Sequence, residues 1–112
     1  MRQSGQQAEA RAAAHLGRNG LKLIAQNYRC RAGEIDLILK EGSTLVFVEV
    51  RMRANQAFGG AAESITAAKR ARVLRAARHY LAQGRQAPNC RFDVVLLEGE
   101  QEIRWIKNAF GE

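Results

Sequence analysis

Proline is nearly absent from this chain. Pro88 stands alone, and no Pro- or Gly-rich linker divides the sequence. Cysteine is scarce too: Cys30 and Cys90 lack CxxC spacing, which argues against a disulfide framework or a zinc site and leaves two reduced thiols. No stretch approaches the ~20 consecutive apolar residues of a membrane-spanning helix. The opening residues, MRQSGQQAEARAAAHLG, lack the apolar block of a signal peptide and read as a helix. The expected compartment is therefore the cytoplasm, with no membrane partner. There is no internal repeat and no low-complexity segment.

What remains is the composition of an ordinary globular protein: 112 residues, 46% hydrophobic and 26% charged. The length suits one domain over residues 1–112, able to bury roughly two-thirds of its unfolded surface. The net charge is +7, and its location matters more than its size. Arg51, Arg53, Lys69, Arg70, Arg72, Arg75, Arg78 and Arg85 face only one acid, Glu63, between residues 51 and 85. A basic block of this kind suits a polyanionic partner, with nucleic acid the commonest. The alternative is a solvated helix face that keeps the protein soluble.

Periodicity gives the order helix, three strands, helix, two strands. Residues 4–17 predict a helix capped by Ser4, with a narrow apolar stripe of Ala8, Ala12, His15 and Leu16 flanked by Glu9. Residues 21–28 alternate weakly, like an edge strand. Residues 34–40 and 44–51 form a hairpin. Residues 52–63 read as a loop, with Gly59 and Gly60 as flexible points and Phe58 as an anchor or a base-stacking ring. Ser64 or Thr66 caps a helix running to about Gln83, with Gly84 as its stop. Its stripe is Ile65, Ala68, Val73, Leu74, Ala77, Tyr80 and Leu81. Residues 91–98 are apolar enough for a central strand, and residues 102–108 form the last one. This predicts an α/β domain of order αβββαββ, a mixed central sheet flanked by helices.

The hairpin, GEIDLILKEGSTLVFVEVR, carries the sharpest reading. Gly42-Ser43 suits a type II′ turn, which sets Glu41 against Thr44 and makes opposed residue numbers sum to 85. Asp36 then faces Glu49, and Glu34 faces Arg51. Ile35, Leu37, Leu39, Val46, Val48 and Val50 fall on one wholly apolar face. The other face is split between Ile38 with Phe47 and the charged residues, as at the rim of a cleft partly covered by a helix. Two carboxylates with Cβ atoms roughly 5 Å apart repel each other. A hard divalent cation, Mg²⁺ or Mn²⁺, would relieve them. A water-exposed salt-bridge lattice is the plainer alternative. His15 and His79 read as helix-surface residues. Phe47, Phe92, Trp105 and Phe110 read as packing, and Asp93 as a structural acid paired with Arg91 or a helix arginine.

These segments also carry a resemblance. GQQAEARAAAHLGRNG, RAGEIDLILKEG, LVFVEVRMR, FGGAAESI with its following Lys69, CRFDVV and WIKNAF resemble the small bacterial YraN family over nearly the whole chain. That family resembles the PD-(D/E)xK nuclease superfamily, particularly archaeal Holliday junction resolvases. The resemblance implies a restriction-endonuclease-like fold, a homodimer and metal-dependent cleavage of structured or branched DNA. By position it implies that Asp36, Glu49 and Glu9 bind the metal, with Arg51 in the lysine position and Glu34 as an accessory acid. Arg51, Arg53, Lys69, Arg72 and Arg75 would hold the nucleic-acid backbone, with Lys69 or Arg53 also able to supply a cation from another direction. Arginine stays protonated, so Arg51 can hold a phosphate but cannot act as a base. This departure keeps two alternatives open: a non-catalytic nucleic-acid binder with the nuclease fold, and a protein-interaction module.

Overall fold

The computed structural model describes residues 5–52, 65–83, 89–99 and 102–111. The expected Ser4 cap, Arg53, the loop features at Phe58, Gly59 and Gly60, and the Gly84 stop lie outside these residues. The elements are α1 (Gly5–Arg18), β1 (Lys22–Cys30), β2 (Gly33–Glu41), β3 (Thr44–Met52), α2 (Ala67–Leu81), β4 (Cys90–Leu97) and β5 (Ile103–Phe110). The predicted order αβββαββ is the observed one. The five strands form a single sheet in sequence order. Consecutive strands are antiparallel except β3 and β4, which run parallel. A parallel pair needs a crossover, and α2 supplies it. As the apolar runs predict, β1 lies at the edge and β4 lies inside the sheet.

Side-chain alternation along each strand builds two cores, one on each face. Leu37, Leu39, Val46, Val48, Val95 and Leu97 pack against Ala8, Ala12 and Leu16 of α1. Ile38, Phe47, Phe92, Val94 and Leu96 pack against Val73, Ala76 and Ala77 of α2. Phe47 is the centre of the second core. Its ring stacks on Phe92 at 5.2 Å and meets Tyr80 edge-on at 6.2 Å. Burying such a ring contributes ~2–3 kcal/mol. Two of the expected apolar positions fall elsewhere. Ile35 leaves the face of Leu37 and joins the α2 core. At the same level in β1, between the partners of Leu37 and Ile35, Asn27 takes a left-handed φ of 52°. On α2, Ala68 is exposed and Ala76 takes a core place.

Two local devices fix α2 on the sheet. Thr66 caps the helix, its side chain accepting the Lys69 backbone N–H at 3.1 Å. Gly33, at the start of β2, lies so close to α2 that a Cβ there would sit 2.2 Å from the Arg72 carbonyl oxygen. Thr66→Ala is expected to cost about 1 kcal/mol in a urea unfolding titration, the usual worth of such a cap. At the other end of α2, the Tyr28 hydroxyl shares a hydrogen bond with His79 Nδ1 and accepts one from Gln83 Nε2 at 2.8 Å. His79 therefore ties α2 to β1 rather than standing alone on the surface.

Asp93 is fully buried, at 0% exposure. Alternation places it on the α1 face, away from the α2 side of the sheet. Its carboxylate accepts from Arg91 Nε at 3.0 and 3.2 Å, from Trp105 Nε1 at 2.9 Å and from the Asn108 N–H at 2.9 Å. Arg91 also donates to Glu41 at 2.6 Å. This network binds β5 and the hairpin end to β4, which is the structural role the sequence suggests; only Arg91 Nη2 within it is buried without a hydrogen-bond partner. Both cysteines are free thiols, Cys30 half-buried and Cys90 exposed. Among the described residues no helix is long and apolar enough to cross a membrane.

Candidate functional site

The β2–β3 register is the one the turn dictates. Glu41 pairs with Thr44, Leu39 with Val46 and Leu37 with Val48, and Gly42 takes a φ of 59°. The regular pairing ends at Leu37 and Val48. One residue further on, the two acids replace it. The Asp36 N–H donates to Glu49 Oε2 at 3.0 Å, and the Val50 N–H donates to Asp36 Oδ2 at 2.9 Å. Each carboxylate thus satisfies a backbone donor of the opposite strand, and both are held in place by the hairpin itself.

Glu49 is 1% exposed. Its Oε1 is buried and has no hydrogen-bond partner. The Lys69 ammonium, from the first turn of α2, stands 3.3 Å from that oxygen, in ion-pair range but not aligned as a hydrogen bond. Burial first, and then the charge of Asp36, push the Glu49 carboxyl up to about 7, against the pull of the Asp36 N–H and of Lys69. Burial also raises Asp36, opposed by the Val50 N–H and by the Lys69 charge. Glu9 is raised as well, by burial and then by Asp36, while a hydrogen bond from the Asn27 side chain lowers it. The helix glutamate therefore stands within electrostatic reach of Asp36.

Glu34 does not use Arg51 as its partner. It pairs with Arg29 at 3.6 Å, Lys69 at 3.7 Å and Arg72 at 4.0 Å. Arg51 is exposed, and its charge acts on Asp36. The reason is the end of the regular ladder: past Leu37 and Val48 the strands no longer hold opposed side chains in register. Arg75 turns onto the β1–β2 connection, its Nε donating to the Ala32 carbonyl at 3.4 Å. Arg29, Arg72 and Arg75, together with the exposed Arg51, set basic groups around the acidic centre. Arg29 and Asn27 are the site residues that sequence reasoning passed over. The signals available were a basic YRCR run and an asparagine, the residue type that most readily adopts a left-handed backbone after glycine.

Among the described residues no three His, Cys, Asp or Glu side chains form a group that could hold a metal ion. Two carboxylates remain, Asp36 and Glu49, with one buried oxygen lacking a hydrogen bond. Mg²⁺ and Mn²⁺ are commonly held by one or two carboxylates, with water and substrate phosphate filling the other positions. The donor set of these two carboxylates fits such an ion on those terms.

The fold and site define a mixed α/β domain with a carboxylate pair locked at the open end of a hairpin. Residues 8–97 match the uncharacterised protein family UPF0102. A UPF0102 protein of Nitrosomonas europaea is 59% identical over 110 residues, which cover 96% of this chain and 93% of the relative. Another, from Nitrosospira multiformis, is 57% identical over 112 residues, covering 98% and 94%. A third, from Nitrosomonas eutropha, is 57% identical over 108 residues, covering 96% and 93%. The chain belongs to the UPF0102, or YraN, family. The matched span contains Glu9, Asp36, Glu49 and Lys69.

Proposed function

We propose that this protein is a metal-dependent, nuclease-like nucleic-acid-binding protein that hydrolyses phosphodiester bonds. The observation that carries this reading is the Asp36–Glu49 pair, interlocked through opposite backbone N–H groups and leaving one buried Glu49 oxygen without a hydrogen bond. Asp36 and Glu49 would hold Mg²⁺ or Mn²⁺, with Glu9 in support. Such an ion, when bound, polarises the phosphoryl oxygen and acidifies a water. The protein's own contribution is position and charge. The hairpin fixes the two carboxylates before any ligand arrives, so little ordering remains when one binds. Arg51, Arg53, Lys69, Arg72 and Arg75 hold the sugar-phosphate backbone. Such contacts carry little sequence information and weaken steeply with salt. DNA as the polymer, its branched form and a homodimer come from the resemblance to the resolvases.

The test is incubation of the purified protein with branched and linear DNA and Mn²⁺ or Mg²⁺. Cleavage is expected from wild type and lost from Asp36→Ala and Glu49→Ala. Cleavage surviving both substitutions would belong to a contaminant and would remove the assignment. The exposed Arg51 in the lysine position favours a second reading, a non-catalytic binder. Its signature is salt-dependent DNA binding by a wild-type protein that never cuts.

A further inference from the structure

We infer that Lys69, rather than Arg51, is the catalytic cation of this site, an assignment that rests on the nuclease reading above. The ammonium is the only cation near the buried Glu49 oxygen among the described residues, at 3.3 Å, and it also reaches Glu34 at 3.7 Å. Arg51, two residues along β3 from Glu49, is exposed and makes no ion pair with either acid.

The placement of Lys69 is built rather than incidental. Its own backbone N–H is the one that Thr66 caps. Arg70 beside it donates to the Ile65 carbonyl at 3.0 Å. Gly33 lets the helix sit directly on the start of β2, with the Arg72 carbonyl 2.2 Å from where a Cβ would lie. These contacts aim a lysine stem from α2 across the open end of the hairpin. The side chain stays 24% exposed, so the ammonium is open to solvent.

The chemistry of the two bases separates their roles. An ammonium is a compact donor that can surrender a proton in a buried setting, whereas a guanidinium stays charged. A divalent cation on Asp36 and Glu49 would take the oxygen that Lys69 now neutralises. The ammonium has a second partner in Glu34, at 3.7 Å, and beside the carboxylate pair it would be placed to meet a water and a phosphate bound there. In the step itself the water oxygen bonds to phosphorus and the P–O ester bond breaks. The leaving oxygen takes up a proton and departs as a hydroxyl, and the water's other hydrogen remains with the new phosphomonoester or passes to solvent. Lys69 orients that water and stabilises the charge growing on the phosphate.

Metal and ammonium competing for one oxygen gives an outcome that a merely structural lysine would not. Single-turnover cleavage of branched DNA and calorimetric titration of Mn²⁺ without DNA are measured on wild type, Lys69→Met, Lys69→Arg, Glu49→Ala and an exposed control, Lys40→Met. Lys69→Met is expected to cleave about 100-fold slower or worse, the usual worth of a positioned proton-transfer or oxyanion group. It should bind Mn²⁺ at least as tightly as wild type. Lys69→Arg keeps the charge and the fold and should stay slow, while Lys40→Met should match wild type. Wild-type cleavage by either Lys69 variant overturns the assignment while leaving the nuclease reading intact. Loss of Mn²⁺ binding together with rate in Lys69→Met also overturns it, since the lysine would then only prop up the carboxylates. A wild type as inert as Glu49→Ala fails the nuclease reading itself and takes the Lys69 assignment with it.

Discussion

Glu49→Gln is expected to raise the melting temperature of the metal-free protein at pH 8 and to remove its stabilisation by Mn²⁺. The Glu49 carboxyl is pushed from 4.5 up to about 7 by burial and by Asp36, so the folded protein holds a proton there that the unfolded chain has released. Between those two values the native state binds more protons than the unfolded one. Stability therefore falls as pH rises from about 4.5 to about 7 and levels off above. Asp36 and Glu9 are raised too and act in the same direction. At pH 8 wild type carries this buried charge opposite a second carboxylate. Lys69, Arg51 and the Asp36 and Val50 N–H groups oppose that cost only in part. Glutamine keeps an oxygen for the Asp36 N–H and drops the charge. For a domain of this size each kcal/mol recovered is worth ~4 °C in melting temperature. Mn²⁺ at a hundred times its Kd should add about 2.7 kcal/mol to wild type, and more readily at pH 8 than at pH 5.5, because the carboxylates must be deprotonated to bind it. A glutamine variant that melts lower than wild type at pH 8 and still responds to Mn²⁺ would sink the picture of Glu49 as a cation-seeking carboxylate.

The pair at the heart of that result was legible in the sequence because everything that sets it is local. Gly42 fixes the turn, the turn fixes the register, and a strand period of two carries Asp36 to Glu49. The same arithmetic failed two residues further on. It set Glu34 against Arg51, but the regular pairing stops at Leu37 and Val48, and beyond it tertiary neighbours choose the partners. It also put Ile35 on the face of Leu37, whereas Ile35 packs in the α2 core, level with a left-handed Asn27 on the neighbouring strand. The αβββαββ order followed from hydrophobic periods, which are strong for α2 and β4 and need no long-range knowledge. The sequence offers Lys69 and Arg53 alike as cations that could reach the site from another direction, and does not choose between them. That Lys69 reaches Glu49 depends on how a helix lands on a sheet, and no periodicity encodes that. The closest sequence-level hint was the glycine opening GEIDL, whose reason is a helix backbone distant along the chain.

That glycine is the site's most economical test. Gly33→Ala is expected to destabilise the protein by ~2–3 kcal/mol in a urea titration, within the usual cost of forcing an extra carbon into a packed contact. The added Cβ would stand 2.2 Å from the Arg72 carbonyl oxygen and 2.8 Å from its carbon, both backbone atoms that can yield only if α2 or the hairpin shifts. Gly17→Ala makes the opposite prediction from the same chemistry. Gly17 lies within α1 with nothing within 4 Å of the added atom, so alanine should stabilise by up to about 1 kcal/mol through helix propensity. The shift forced at Gly33 also has a reporter in the site. Lys69 sits one helical turn before Arg72 and holds the Glu49 carboxyl down. Lifting α2 off β2 should move that ammonium away and drive the carboxyl above the wild-type value of about 7, as read by carbon-detected NMR titration. An alanine at position 33 that costs nothing and leaves the Glu49 titration unmoved would mean that the fit of α2 on β2 does not place Lys69. A costly alanine that moves the titration upward would tie the stability of the fold and the charge of the site to one backbone contact.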